Sequence, residues 1–513
     1  MRSLIVLFLS IFVLSLQSCG GDGGNAKTAT TTSTHAETTT PASITANNTP
    51  ASTGSLPYDP NRTLESPDIK LKIDNIKRNQ KAYLIGQYGT QRYRADSSLV
   101  AADGSMRFSR KEPYEPGLYV VFLPRELSFQ ILIDADQTMT ITGDVENIDQ
   151  SNVVKGNIDT ELLQETNRYE IGVRQKLANL SRQMQGTAQG SAERARLQEQ
   201  REQIIAERKA YLQNLFEEYP NSLFTSFKRG GQNPEVKDIR KPDGTIDTLA
   251  QFNQYRADFW NSINFDDPRL LRTPLIANML ERYFTQLTNK NASSIITSTD
   301  EVLSKVVDNP NRKEYFQVIS NWIAMQNQPG KATYMDAEAV YVHLVQNYFT
   351  RERAVWADSM EIYALQKRAS EMAASRVGQP APNVISTDPN GRKKELLAIE
   401  APYIVVYMYN PDCEHCQEQT PKLVEFYRQW KPRGVEVFGI AIDTNQERWK
   451  EYIQQTGMSW INVFDPTNRS IYAKYYVDIT PEIYVINPDR KIIGKNLQVH
   501  QIQEIIRRDQ QSS

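Results

Sequence analysis

The stretch YIVVYMYNPDCEHCQEQTP, residues 403–421, is the strongest indication of the fold of the C-terminal region. Its first seven residues are all apolar or aromatic, which is typical of a strand buried on both faces of a sheet. Helix-forming residues begin at Glu414, so Cys413 and Cys416 lie where a strand gives way to a helix. A helix N-terminus stabilises an anion, and the thiolate is the reactive form of cysteine. The pattern therefore predicts a redox pair in which Cys413, with a pKa below its usual value of about 8.5, is the nucleophile and Cys416 resolves the mixed disulfide.

Three other interpretations of this cysteine pair stay open. A zinc site needs about four ligands, and the histidines outside the motif, His35, His343 and His500, lie in other predicted elements. A permanent disulfide across two residues closes a very small loop and stabilises little. A peroxide-reducing cysteine needs a Thr or Ser three residues before it, where this chain has Asn410. We predict neither a metal nor a cofactor, and we expect His343 to be a partly buried, hydrogen-bonded side chain.

Strand and helix patterns alternate throughout residues 376–513, which predicts an α/β sheet with helices on both faces. The predicted strands cover residues 403–409, 435–442, 461–464, 483–486 and 491–494. The predicted helices cover the stretch from the second cysteine to residue 430, and then residues 446–456, 469–476 and 498–508.

Two more stretches accompany the cysteine motif DCEHCQEQTP. They are VGQPAPNV at residues 377–384 and ITPEIYVINPDRKIIG at residues 479–494. Together the three stretches resemble the TlpA/ResA-like thioredoxins. The resemblance implies a thioredoxin fold and a thiol–disulfide oxidoreductase, and it favours a reductase of protein disulfides. It also implies that the bond between Thr480 and Pro481 is cis, packs against the cysteine pair and offers backbone groups to an extended substrate.

The residues beside the cysteines bear on the redox poise of the pair. A protonated His415 would favour the thiolate, whereas Glu414 would oppose it, so the two tune the potential in opposite directions. Asp412 stands where the resembled family usually has a tryptophan. A reductase in an oxidising compartment needs electrons from elsewhere, so the implied partners are protein disulfides and an external electron donor, such as a membrane thiol reductase.

The sequence departs from the resembled family at the groups that would carry the proton of the resolving thiol. The buried acid on the preceding strand corresponds to Tyr407, and the glutamate three residues after the second cysteine corresponds to Gln419. The usual carboxylates are therefore missing near Cys416. We expect Glu418, Glu414 or water to take their place.

The N-terminus is typical of an export signal. Residues 1–18 carry Arg2 and then an apolar run. Their last three residues form, with Cys19, the stretch LQSC, which resembles the bacterial lipobox. The resemblance implies a lipid on Cys19 and a location in the bacterial cell envelope, on the periplasmic side or at the outer membrane. Residues 19–57, rich in Thr and Ser, are expected to form a flexible tether. An ordinary cleaved signal peptide with an incidental cysteine is the alternative.

Two regions without a catalytic pattern lie between the tether and the redox region. Residues 58–157 show period-2 alternation, as at Ile69 to Ile73, and predict an antiparallel β-sandwich or barrel. Residues 158–375 are helical, beginning with a hairpin of two helices broken at residues 186–190. Further helices are predicted around residues 270–287, 299–307, 312–326 and 336–350. The stretch ADSSLVAADGSMRFSRKEPYEPGLYVVFL, residues 95–123, resembles a β-rich module of unknown function at the N-terminus of Bacteroidetes lipoprotein thioredoxins. The predicted architecture is thus multidomain: all-β, then α-helical, then thioredoxin-like α/β.

The charge balance excludes one class of partner. The formal net charge is −2, so no overall field favours nucleic acid, and we predict no nucleic-acid partner. Because no catalytic pattern appears in most of the chain, a second functional hypothesis remains. In it, the protein is an envelope lipoprotein adaptor or scaffold whose thioredoxin fold serves binding.

Overall fold

The computed structural model describes residues 63–328, 334–466, 471, 474–477 and 479–512. The predicted signal peptide, Cys19 and the tether lie outside the described residues, as does part of the predicted helix 469–476. Along the described chain a β region, a helical region and a mixed α/β region follow one another. This order confirms the predicted fold class.

The β region consists of two four-stranded sheets that share one core. Alternating residues of the first strand, Ile69, Leu71 and Ile73, are buried between them, as the period-2 pattern predicted. The strands run in the orders β4-β1-β7-β8 and β3-β2-β5-β6. They are Asp68–Asp74 (β1), Lys81–Tyr88 (β2), Gln91–Leu99 (β3), Ser105–Ser109 (β4), Gly117–Phe122 (β5), Ser128–Ile133 (β6), Thr138–Asp144 (β7) and Val153–Lys155 (β8).

One strand pair departs from the expected antiparallel arrangement. Strands β1 and β7 run parallel, with Asp68 opposite Thr138. A parallel pair needs a crossover connection. Here β5 and β6 of the second sheet supply part of it, so the chain returns to the first sheet in its original direction.

The helical region covers one face of the β region and then forms its own core. The first hairpin, α2–α3, packs Leu162 and Leu163 against Leu118 and Leu132 of the second sheet. No helix of the described chain has the length and apolar character needed to cross a membrane. The helices are Ile148–Ser151 (α1), Ile158–Gln185 (α2), Ala192–Glu218 (α3), Leu223–Gly230 (α4), Thr248–Asp258 (α5), Leu275–Gln286 (α6), Ala292–Leu303 (α7), Lys313–Gln326 (α8), Ala337–Tyr348 (α9) and Ser359–Ala373 (α10), with 3-10 turns at Val145–Asn147, Pro268–Arg272 and Pro310–Arg312.

Two helix boundaries differ from the sequence expectation for local reasons. A helix predicted from residue 270 begins only at Leu275, because Pro274 occupies the N-cap, and a proline in a helix interior would remove a backbone hydrogen bond and clash with the preceding turn. Helix α7 begins seven residues before the predicted Thr299, because the Asn291 side chain accepts a hydrogen bond from the Ser294 N–H and caps it.

The C-terminal region is built on a seven-stranded sheet of order β10-β9-β13-β12-β11-β14-β15. Strand β11 is central, parallel to β12 and antiparallel to β14. The strands are Ile385–Thr387 (β9), Lys393–Glu395 (β10), Tyr403–Tyr409 (β11), Val435–Ala441 (β12), Ile461–Phe464 (β13), Glu482–Ile486 (β14) and Ile492–Gly494 (β15). The helices are Glu414–Trp430 (α11), Gln446–Thr456 (α12) and Val499–Ser512 (α13), with a 3-10 turn at Lys431–Arg433.

Strand β11 is buried on both faces, as its continuous apolar run predicted. Its odd-numbered residues, such as Tyr407, enter the same core as Cys416, and its even-numbered residues, such as Met408, enter the core on the other face. The strand is therefore fixed from two sides, and its end is a rigid support for the loop that follows.

Buried ion pairs join the regions. Arg269 of the helical region pairs with Asp267 in its own segment and with Asp134 of the β region, at 2.7 and 2.8 Å. Lys495, which follows β15, lies 3.7 Å from the Glu338 carboxylate of α9. His343 is half-buried, with Nε2 2.7 Å from the Asp300 carboxylate, which agrees with its expected structural role.

Candidate active site at the end of the central strand

Cys413 is the N-cap residue of α11 and follows the end of β11 by four residues. A tight turn sets its position: the Asp412 N–H donates to the Asn410 side chain at 2.8 Å, and the Cys413 N–H donates to the Asn410 carbonyl at 3.1 Å. Cys413 and Cys416 are both free thiols, the first half-buried and the second fully buried. Only the first sulfur is thus open to a partner.

The structure brings the predicted Thr480–Pro481 segment to this turn. The peptide bond between these residues is cis. The Cys413 thiol donates a hydrogen bond to the Thr480 carbonyl at 3.2 Å, across 67 residues of sequence. The sulfur and the loop predicted to receive substrate are therefore in direct contact.

The pKa values of the two thiols are shifted in opposite directions. Burial opposes the Cys413 thiolate and would raise its pKa. Hydrogen bonds to the sulfur outweigh this effect and lower the pKa of Cys413; they come from the Cys416 backbone, the Thr480 side chain, the Cys416 thiol and the His415 backbone. Burial raises the pKa of Cys416 to about 12. At neutral pH, therefore, Cys413 forms the thiolate more readily and Cys416 is a protonated thiol.

Three buried hydroxyl groups lie near the Cys416 carbonyl. The resembled family has a carboxylate in this part of the site. The Thr420 hydroxyl donates to the Cys416 carbonyl at 2.7 Å, and it lies 2.7 Å from the Tyr407 hydroxyl and 2.8 Å from that of Tyr452. Burial raises the pKa of Tyr407 well above its usual value, so Tyr407 is no base at neutral pH. The cluster holds the first turn of α11 in place, and it does not accept the proton of Cys416.

The other sequence candidates lie on the outer side of α11. Glu414 and His415 are exposed, and the His415 backbone N–H stabilises the thiolate. Glu418 is 61% exposed and pairs with Lys422 at 2.6 Å. Nothing in these contacts directs Glu418 toward the resolving sulfur, and the expected proton role of Glu414 and Glu418 stays a prediction.

Sequence reasoning missed Arg448. Its Nε donates to the Asp412 carboxylate at 2.8 Å, from α12. Asp412 precedes the nucleophile, so its negative charge opposes the thiolate, and Arg448 compensates that charge. No local signal could reveal this pair, because the partners are 36 residues apart.

The described residues contain no group of three or more His, Cys, Asp and Glu side chains arranged to hold a metal ion.

Comparisons with known proteins agree on the C-terminal region. Residues 377–495 match the AhpC/TSA family. The thiol-disulfide oxidoreductase ResA of Bacillus subtilis is 26% identical over 116 residues, which are 23% of this chain and 64% of that protein. ResA of Bacillus thuringiensis subsp. konkukian is 27% identical over 155 residues, 30% of this chain and 78% of that protein.

Two solved structures are also similar. A domain of a possible thiol-disulfide isomerase from Cytophaga hutchinsonii is 27% identical, with a TM-score of 0.26, and covers 27% of this chain and 97% of its own. A thioredoxin-like protein from Bacteroides caccae is 19% identical, with a TM-score of 0.42, and covers 54% of this chain and 99% of its own. The family match and the ResA relatives together show that the C-terminal region is a thioredoxin-like domain related to the ResA thiol-disulfide oxidoreductases.

Proposed function

We propose that this protein reduces disulfides of other proteins in the bacterial cell envelope. The single observation that carries the proposal is the asymmetric pair of thiols: an accessible Cys413 at a helix N-cap, 3.2 Å from the Thr480 carbonyl, and a buried Cys416 one turn further on. A nucleophile with a lowered pKa and a protected resolving thiol are the two groups that thiol–disulfide exchange needs.

The reaction proceeds in two exchanges. The Cys413 thiolate attacks one sulfur of the substrate disulfide, which forms a mixed disulfide and releases the other substrate sulfur, and that sulfur takes up a proton. The Cys416 thiol then loses its proton and attacks the Cys413 sulfur, and the second substrate sulfur leaves as a thiol. The substrate gains two electrons and two protons, and Cys413 and Cys416 become a disulfide. An external donor, for which a membrane thiol reductase is proposed, returns the pair to the reduced form.

The test of this proposal is turnover on a protein disulfide. The full chain should accelerate the reduction of insulin by dithiothreitol, and the Cys413→Ser/Cys416→Ser double variant should not. The reduction potential of the pair then decides the direction: a value near about −270 mV indicates a reductase, and one near about −120 mV an oxidant. No acceleration by the wild-type chain would contradict the proposal.

We further propose that a lipid on Cys19 holds the protein on a membrane of the envelope. The proposal is based on the LQSC stretch after the apolar run. Several acyl chains bind a membrane durably, at about 0.8 kcal/mol per buried methylene. Labelled palmitate should enter the wild-type chain in cells and should not enter Cys19→Ala. Equal labelling of the two would rule out the anchor.

A further inference from the structure

A cavity of about 660 Å³ lies in the helical region, between α8, α9, α10 and the turn from β2 to β3. Its volume is within the range of ligand-binding pockets. The floor is apolar, formed by Trp322, Val345, Phe349 and Leu365, of which the first three are less than 10% exposed. The cavity therefore offers a protected apolar surface that the chemistry of the cysteines does not use.

The rim of the cavity is lined by primary amides. The side chains are those of Gln91, Gln317, Asn321 and Gln328, and in the described chain none of them has a hydrogen-bond partner. Each amide can donate and accept, as a peptide group requires. The described lining holds one charged residue, Arg368, and no carboxylate. Amides above an apolar floor suit a polypeptide backbone that carries an apolar side chain, and they suit a highly charged ligand poorly.

The cavity is linked to the redox site through Tyr476. The Arg368 Nε donates to the Tyr476 hydroxyl at 2.6 Å, and Tyr476 is buried in the core of the helical region. Thr480 is the fourth residue after Tyr476, so their Cα atoms lie at most about 14 Å apart. Between them Ile479 is 59% exposed. The residue that contacts the cavity-lining Arg368 is thus close in the chain to the carbonyl that contacts the Cys413 sulfur, and an exposed apolar side chain, Ile479, lies next to that carbonyl in sequence.

We propose that the cavity binds an extended segment of the disulfide-bearing substrate protein, with an apolar side chain on the floor and the backbone on the rim amides, while Cys413 attacks the disulfide. This inference rests on the proposed function and specifies its substrate class: unfolded polypeptides, which gain contacts with the cavity that a small disulfide lacks. Binding through rim amides and one apolar side chain does not depend on a particular substrate sequence, so segments of many unfolded chains would bind in the cavity.

The test compares a polypeptide disulfide with a small one. Gln317→Ala/Asn321→Ala in the full chain should raise the KM for scrambled ribonuclease about fivefold or more, the effect of losing one to two net hydrogen bonds. Its rate with hydroxyethyl disulfide, which carries no peptide, should stay within about twofold of wild type, a change too small to reflect a lost net hydrogen bond. Gln326→Ala is the matched control, because Gln326 is exposed on the same helix and lies outside the cavity.

The outcomes separate the two proposals. If the wild-type chain reduces neither substrate, the proposed function is wrong. If it reduces both and the double variant keeps the wild-type KM for scrambled ribonuclease, the cavity proposal is wrong. Val318→Trp, which places a large ring in the cavity, should reproduce the rise in KM. Activity on hydroxyethyl disulfide reports that each variant has folded.

Discussion

Replacing Cys416 with serine should leave the protein covalently attached to its substrates, and replacing Cys413 with serine should abolish exchange. Cys413 alone can start the reaction, because it is the accessible thiol with the lowered pKa. Without Cys416 the mixed disulfide has no internal thiol to resolve it. We expect turnover to fall at least about 1,000-fold in both variants, since loss of a catalytic nucleophile costs about 10⁶ in kcat in a serine protease.

The measurement is non-reducing electrophoresis of cells that express each variant, with dithiothreitol to release the adducts. Adducts of Cys416→Ser should form faster as pH rises through the pKa of Cys413, which lies below that of an ordinary thiol, and then level off. Cys413→Ser is the control, because burial raises the pKa of its remaining thiol, Cys416, to about 12. Equal adducts from both single variants at neutral pH would contradict the assignment of nucleophile and resolving thiol.

Long elements with a distinct residue composition could be predicted from the sequence, and short polar ones could not. Strand β11 and the hairpin α2–α3 follow directly from their residue patterns. Strands β9 and β10 were missed because they have three residues each, and β10, Lys393–Glu395, is entirely charged. These strands exist because they pair with each other at the edge of a sheet, and such pairing has no signal within either segment.

The candidate site divides in the same way. The cysteines and Pro481 were predicted because each lies in a contiguous motif. Tyr407 was recognised as a departure, but its hydroxyl partners Thr420 and Tyr452 were not, since three elements must meet before the cluster forms. Local chemistry can thus be predicted from the sequence, whereas the groups that support it depend on tertiary packing.

The same limit applies to the ion pairs that join the regions. Asp134 and Arg269 are 135 residues apart, and nothing near either residue indicates the other. Yet both side chains are almost completely buried, at 9% and 3% exposed. Charges are rarely buried without a partner. We therefore expect this pair to stabilise the packing of the β region against the helical region.

Replacing Arg269 with methionine should therefore lower the free energy of unfolding by about 3–5 kcal/mol, because two buried carboxylates, Asp134 and Asp267, would lose their countercharge. Urea denaturation followed by circular dichroism measures the loss. Arg312→Met is the matched control: it breaks the partly exposed pair with Asp266 and should cost about 1 kcal/mol or less. Equal losses in the two variants would show that burial of the Arg269 cluster adds nothing to stability. A large loss from Arg269→Met alone would mean that this arginine stabilises the packing of the β region against the helical region.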